Sequence, residues 1–255
     1  MTTPINISKS TGKRCLVFGG TGALGREVCK MLHEAGAKVA FTFYQNQLEA
    51  DRLVEALPGV RALQLDLRSV AQIDKLIQQL ASEWEGLDGF VQCAGVGPKP
   101  DELATEVHHT MKQVDEAAWD EMQDVNIKGS FFAVRSVAGE MVKNGGNIVL
   151  IGSIDGVKPV PAPVHYAASK GALVGMTAAM AKEFGGSGIC VNIVAPGIME
   201  TGMSRVLPEE LRKEYIKHCG LRRYGRVEEI AAWATWLSLH NTYVTGQTIL
   251  VDGAL

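Results

Sequence analysis

RCLVFGGTGALGREVCKMLHEAGA, residues 14–37, decides how the rest of the chain is read. Its first five residues form an apolar run that stops at glycine, the pattern of a buried strand. Leu24, Val28, Met31 and Leu32 then recur at helical spacing, and Gly36 is a natural stop. The turn between them is FGGTGALG, Phe18 to Gly25, in which Gly20, Gly22 and Gly25 fit GxGxxG. Glycine permits the tight turn and lets backbone N–H groups approach a pyrophosphate at the helix N-terminus. Such a motif alone also marks a merely tight turn; the strand–turn–helix context favours a dinucleotide.

Outward from this unit the alternation continues. Strands are expected at KVAFTF, VRALQLDL, LDGFVQCAG, GNIVLIGS, GICVNIVAPG and QTILVDG. Between them lie helical patterns: NQLEADRLVEAL ended by Pro58, VAQIDKLIQQLASEW capped by Ser69, a long helix from about Asp115 to Lys143, VHYAASKGALVGMTAAMAKEF and VEEIAAWATWLSL. Strand–helix alternation predicts an α/β fold of the Rossmann type: a doubly wound, seven-stranded parallel sheet with helices on both faces. One domain over 1–255 is expected, with residues 1–12 as a tail. Two long connections, 96–113 and 198–225, leave carboxyl ends of strands, where open α/β sheets hold ligands. Residues 197–225 are the candidate substrate loop or lid.

Composition is that of an ordinary globular chain, 46% apolar and 21% charged, and a net charge of −3 offers no basic surface for nucleic acid. No apolar run approaches the ~20 residues of a membrane span, and the N-terminus has no signal-peptide core. Cys15, Cys29, Cys93, Cys190 and Cys219 are scattered without metal spacing, so no metal site is expected and a reduced, cytoplasmic protein is. His108 and His109, on the first long connection, read best as solvated.

An acid ending the second strand holds NAD by its ribose hydroxyls. Here Tyr44 follows that strand and no acid comes before Glu49, which leans toward NADP(H), with NAD(H) as the alternative. No arginine or lysine lies in the glycine loop or in Tyr44–Gln47 to hold a 2′-phosphate, and Arg26, Lys13 and Arg14 are poor substitutes. Asp66, after the third strand, is placed to bind an adenine amine or to serve as a helix N-terminal carboxylate.

HYAASKGAL, residues 165–173, places Tyr166 and Lys170 one turn apart on one helix face. A free phenol titrates near ~10 and is a poor catalyst at neutral pH. A nearby ammonium is expected to bring it down, so that it can give a proton to a carbonyl oxygen as hydride reaches the carbon. Ser153, ending the fifth strand, can hydrogen-bond the same oxygen. Asn126 either holds a water that feeds protons to Lys170 or makes an internal helix bond.

Together these residues resemble the short-chain dehydrogenase/reductase family of the compact single-domain kind, and the second half is most similar to bacterial 3-oxoacyl-[acyl-carrier-protein] reductases. The carriers are the glycine turn, Asp66, CAG at 93–95, Asn126, Ser153, YAASK, VNIVAPGIMET and TGQTILVDG, spanning about Lys13 to Gly253. The resemblance implies a catalytic set of Asn126, Ser153, Tyr166 and Lys170, with Lys170 also holding the nicotinamide ribose. It implies that Gly19, Thr21, Gly22, Leu24, Gly25, Tyr44, Asp66, Leu67, Cys93, Ala94, Gly95, Tyr166, Lys170, Pro196, Gly197, Ile198 and Thr201 contact the cofactor. Asp155 and Met203 are the candidate substrate contacts; Asp155 either selects a substrate polar group or faces solvent. The implied activity is NAD(P)H-dependent reduction of a ketone, 3-oxoacyl thioesters included; the alternatives are an NAD-linked alcohol dehydrogenase and a silent nucleotide sensor. Expected partners are a small carbonyl or acyl-thioester substrate, an acyl carrier protein as a candidate, and sister chains in a homotetramer, with no nucleic acid and no membrane.

The sequence also departs from the family. Phe18 and Ala23 replace two residues of its TGxxxGxG motif, and the spacing Gly19, Gly22, Gly25 is closer to its extended members. Gln92-Cys93-Ala94-Gly95 stands for NNAG. Phe132 and Ser187 fall where carrier-protein reductases carry docking arginines. Arg222, Arg223 and Arg226 either meet an anionic substrate tail or form a solvated turn or subunit contact.

Overall fold

A computed structural model describes residues 10–99, 110–160, 162–207 and 209–255. His108, His109 and the first nine residues of the tail lie outside the described residues. Seven strands form one sheet: β1 (Arg14–Phe18), β2 (Lys38–Phe43), β3 (Arg61–Gln64), β4 (Gly89–Gln92), β5 (Gly146–Ile151), β6 (Ile189–Pro196) and β7 (Thr248–Val251). Their order is β3-β2-β1-β4-β5-β6-β7 and every pair is parallel. The chain reverses direction across the sheet between β1 and β4, and this switch point lies beside the glycine turn.

Helices cover both faces: α1 (Ala23–Glu34), α2 (Gln47–Ala56), α3 (Val70–Trp84), α4 (Glu116–Gln123), α5 (Ser130–Met141), α6 (Val164–Phe184), α7 (Glu209–His218) and α8 (Val227–Leu239). A strand buried on both faces shares its residues between two cores. Leu16 and Phe18 join Phe90, Ile148, Ile77, Val134 and Leu173 on the α3, α5 and α6 side. Cys15 and Val17 join Val39, Val91, Val28, Leu32 and Ile230 on the α1, α2 and α8 side. Phe18 and Phe90 meet edge to face at 5.0 Å. Burial of each ring contributes about 2–3 kcal/mol and the pairing about 1 kcal/mol more.

Side chains cap several helices. Asn46 accepts from Glu49 N at α2, Ser69 from Gln72 N at α3, as expected from sequence, and Asp115 from Ala118 N at α4. The expected long helix from Asp115 to Lys143 is one rod with a fault: Asp124–Gly129 winds as a π-helical turn between α4 and α5. A single residue inserted in the helical ladder produces such a turn. The long connection after β6 contains α7, whose polar sequence carries no apolar stripe.

Candidate functional site

The glycine turn is fixed by packing at three of its glycines. Gly19 has φ +79°, and a Cβ there would fall 2.7 Å from Ala94 Cα; at Gly20 it would meet the Phe41 ring at 2.5 Å, and at Gly25 the Gly19 oxygen at 2.2 Å. Gly22 differs: a Cβ there would meet only Gly19 O, at 3.4 Å. Gly22 precedes α1, where no side chain caps the first turn and no acid lies in it. The open N–H groups and the positive end of the helix dipole suit an anion such as a pyrophosphate. The turn therefore fits a dinucleotide. Leu24 and Leu67 are buried in the two cores, which leaves only their backbones to face a ligand.

At the carboxyl end of β5, Ser153 begins a short 3-10 turn, Ile154–Gly156. Its hydroxyl donates to Asp155 Oδ2 at 2.5 Å and accepts from Asp155 N at 3.3 Å. Tyr166 and Lys170 come from the first turns of α6, whose backbone at Lys170 packs so closely on Gly156 that a Cβ there would lie 2.5 Å away. Lys170 is buried, donates to Ile151 O at 3.2 Å, and stands 5.8 Å from the Tyr166 ring centre. Gly95 lies between Asn126 Oδ1 and Lys170 Nζ: a Cβ there would be 3.0 Å from the first and 3.7 Å from the second.

Asn126 projects from the π-helical turn and is buried. Its Oδ1 accepts from Val96 N at 2.8 Å, and its Nδ2 donates to Val96 O and to Ser169 Oγ, both at 3.0 Å. Ser169 in turn donates to Tyr166 O at 2.8 Å. The amide thus ties the loop after β4 to the turn of α6 that carries Tyr166. The side chain therefore acts as a clamp between Val96 and Ser169. Ser169, unremarked in the sequence, is part of that clamp.

Residues 20–255 match the family described as enoyl-(acyl carrier protein) reductase. The 3-oxoacyl-[acyl-carrier-protein] reductase of Thermotoga maritima is 35% identical over 96% of this chain and 98% of its own length. A solved short-chain dehydrogenase/reductase from Serratia marcescens superposes with a TM-score of 0.85 at 31% identity, covering 96% of this chain and 98% of that one. The chain is a short-chain dehydrogenase/reductase. This oxidoreductase also resembles a blue fluorescent protein from a metagenomic library solved in complex with NADPH, at 29% identity and a TM-score of 0.86, with 97% and 99% of the two chains covered.

Two electrostatic features of this dehydrogenase/reductase were not expected. The Tyr166 phenol is raised, not lowered: burial pushes it up, charge on Asp155 pushes further, and a hydrogen bond with Ser153 pulls back. The expected lowering is not seen because burial and the acid that shares the pocket outweigh the Ser153 hydrogen bond. Burial also brings Lys170 down to about 8, against the charges of Asp155 and Cys93. The second feature is a cation beside Tyr44. Arg68 crosses to Tyr44, donating to its hydroxyl, with the guanidinium 5.2 Å from the ring centre. The same guanidinium grips Asp66 through Nε at 2.9 Å and Nη2 at 2.7 Å and holds that carboxyl below its usual range. Arg68 is the residue sequence reasoning missed. Arg26 pairs with Glu49 at 3.2 Å, and Arg14 binds Asp88, so neither is placed for a phosphate.

The loops close the picture. A Cβ at Gly97 would lie 3.0 Å from Met203 Sδ, and one at Gly202 3.7 Å from Ala23 Cβ, so the segment after β6 returns over both the β4 loop and the glycine turn. Thr201 precedes the 3-10 turn Gly202–Val206. Gly197 leaves β6 against Tyr215 and Asp252, where a Cβ would lie 2.1 Å from the Tyr215 hydroxyl. Ile198 O accepts from Gly225 N at 3.0 Å, which closes the base of the lid. Arg223 binds Glu229 through two nitrogens at 2.8 and 2.7 Å, and Arg226 caps α8 with the same Glu229, which is held at about 2. Those two arginines serve the start of α8. Among the described residues no helix is long and apolar enough to cross a membrane, and no cluster of metal-ligating side chains occurs.

Proposed function

We propose that the enzyme reduces a ketone with NADPH, and that its substrate is a 3-oxoacyl thioester. The observation that carries this reading is the meeting of Ser153, Tyr166 and Lys170 at one end of the sheet, beside a glycine turn open to an anion. When bound, the nicotinamide supplies a hydride to the carbonyl carbon. Tyr166 gives the proton that the carbonyl oxygen gains, which leaves an alcohol and a phenolate to be reprotonated from water. Ser153 donates to the same oxygen as charge develops. Lys170 holds a positive charge below the phenolate as it forms and lies within reach of the nicotinamide ribose. Asn126 positions the helix that carries Tyr166. Tyr166 and Ser153, both able to donate to one carbonyl oxygen, and the names of the 3-oxoacyl reductase relatives favour ketone reduction.

Gly19, Thr21, Gly22 and Gly25 would hold the pyrophosphate, Asp66 the adenine amine, Arg68 the adenine ribose, and Cys93–Gly95 with Pro196–Thr201 the nicotinamide half. Arg68, seated on Tyr44, supplies the 2′-phosphate partner. Residues 197–225 act as the substrate lid of a one-domain enzyme, with Met203 and Asp155 at the substrate. The relatives are named for a 3-oxoacyl thioester on a carrier protein; Phe132 and Ser187, in place of docking arginines, favour a small thioester here. The apolar face of α8 and β7 exposes Trp233, Trp236 and Leu250 beside a groove of about 610 Å³ and suits a sister chain, as in a homotetramer. The unpaired cysteines suit the cytoplasm. The test is loss of NADPH absorbance with acetoacetyl-CoA, an acetoacetyl carrier-protein thioester and a free 3-oxo ester, each repeated with NADH. Activity with the thioesters and NADPH is expected; no consumption with any carbonyl overturns the reading.

A further inference from the structure

Ser153 has one proton to give, and three groups compete for it. The substrate oxygen needs it. The Tyr166 phenol shares a hydrogen bond with Ser153. Asp155 Oδ2, at 2.5 Å, takes it in the present geometry. A serine that donates to a carboxylate cannot donate to a carbonyl as well. Asp155 sits two residues along and meets Ser153 through both its side chain and its backbone N–H, so the carboxyl stands at the serine hydroxyl.

We propose that Asp155 positions the proton of Ser153: protonated, it donates to Ser153 Oγ and turns the serine hydroxyl toward the substrate oxygen; ionised, it takes that proton and silences the serine as a donor. This rests on the reading of Ser153 as a donor to the substrate. The surroundings support a neutral Asp155. Burial raises its carboxyl above the usual carboxylate range, more than the Ser153 bond and the charge of Lys170 lower it. The groups facing it are Tyr166 and Lys170 from α6 and Tyr215 from α7, whose phenol its charge also raises. An ionised Asp155 opposes phenolate formation on Tyr166, so a single protonation event favours both donors of the oxygen site. Asparagine reproduces the protonated state permanently, because its NH2 donates to Ser153 at every pH.

The experiment follows kcat/KM against pH with acetoacetyl-CoA and NADPH for wild type, Asp155→Asn, Asp155→Ala and Ser153→Ala, with Tm and NADPH binding as checks of folding. The wild type should fall, relative to Asp155→Asn, as pH rises through the Asp155 titration. Asp155→Ala, with no donor, should lie about tenfold below wild type at the acidic end, and its deficit should vanish at the alkaline end. A flat ratio of Asp155→Asn to wild type overturns the proposal, as does Asp155→Ala matching Asp155→Asn throughout. A merely structural role would change Tm without moving the profile. Fully active Ser153→Ala would instead remove the Ser153 reading itself, a separately recognisable failure. One measurement needs no turnover: an infrared carboxylic-acid band, absent from Asp155→Asn, should appear in the wild type on the acidic side of its fall in activity and fade across that fall, and its absence there overturns the proposal.

Discussion

The two ends of the site each carry an aspartate, and their surroundings push them in opposite directions. Asp66, at the ribose end, lies at the surface with Arg68 folded onto it and is held ionised. Asp155, at the carbonyl end, is sunk beside Ser153 and Lys170 and is pushed toward its neutral form. On the proposed reading the surface end recognises charge and the buried end manages a proton. The same residue type serves both because solvent access and the nearest partner set its charge state, not its identity.

The two ends should separate under mutation. Removal of the proton donor has the largest effect: Tyr166→Phe should lower kcat by on the order of 10³-fold and leave NADPH binding unchanged by fluorescence titration. A comparable loss of binding would erase the division of labour. Arg68→Ala should give the opposite signature, with KM for NADPH raised roughly ten- to hundredfold, as when charge-assisted contacts to a phosphate are lost, and kinetics with NADH little changed. Equal losses with both cofactors would mean that Arg68 meets no 2′-phosphate. Tyr44→Asp, which places an acid against Arg68, should shift the NADPH-to-NADH preference by about tenfold; no shift would mean that the ribose lies elsewhere.

The smallest effect is on stability, and its sign distinguishes the acids. Asp155 is raised, so its contribution is fully present below its unfolded pKa and is lost as pH rises through the folded value. Asp155→Asn should therefore gain in Tm over wild type with rising pH, by roughly 2–4 °C, the equivalent of about 1 kcal/mol in a chain of this size. Asp66 is lowered, so its contribution is present above its unfolded pKa and lost on acidification through the folded value. Asp66→Asn should cost stability near neutrality, and only slightly, because the ion pair is exposed. Differential scanning fluorimetry across pH reads both; the same sign for the two would dissolve the contrast.

All seven strands are legible in the sequence because each is an apolar run bounded by turn residues. The α4–α5 rod is legible as one helix because an added residue scarcely disturbs the apolar periodicity, and for the same reason the π-helical turn is invisible. α7 escaped notice because EELRKEYIKH is polar; its signal was the charge order, Glu209 and Glu210 in the first turn with Lys217 and His218 in the last. Tyr166 and Lys170 share a face as their spacing required, but the direction in which the phenol is shifted depends on burial and on Asp155, which spacing does not contain. Arg68 was hidden by its distance along the chain from Tyr44. β2 and β3 are neighbours in register, Phe43 opposite Gln64, so residues just beyond their ends meet. Strand order, once assumed, was enough to find it.

The fault in the α4–α5 rod has a consequence for how this protein tolerates change. Removing one residue from 124–129 would let the coil revert to regular winding and rotate everything upstream by about 100°. The Asn126 amide would then release both the β4 loop and α6, although no residue that touches substrate had been altered. A length change there should prove far more damaging than any substitution on the rod's outer surface, so an irregularity in the helix is a dimension the active site depends on.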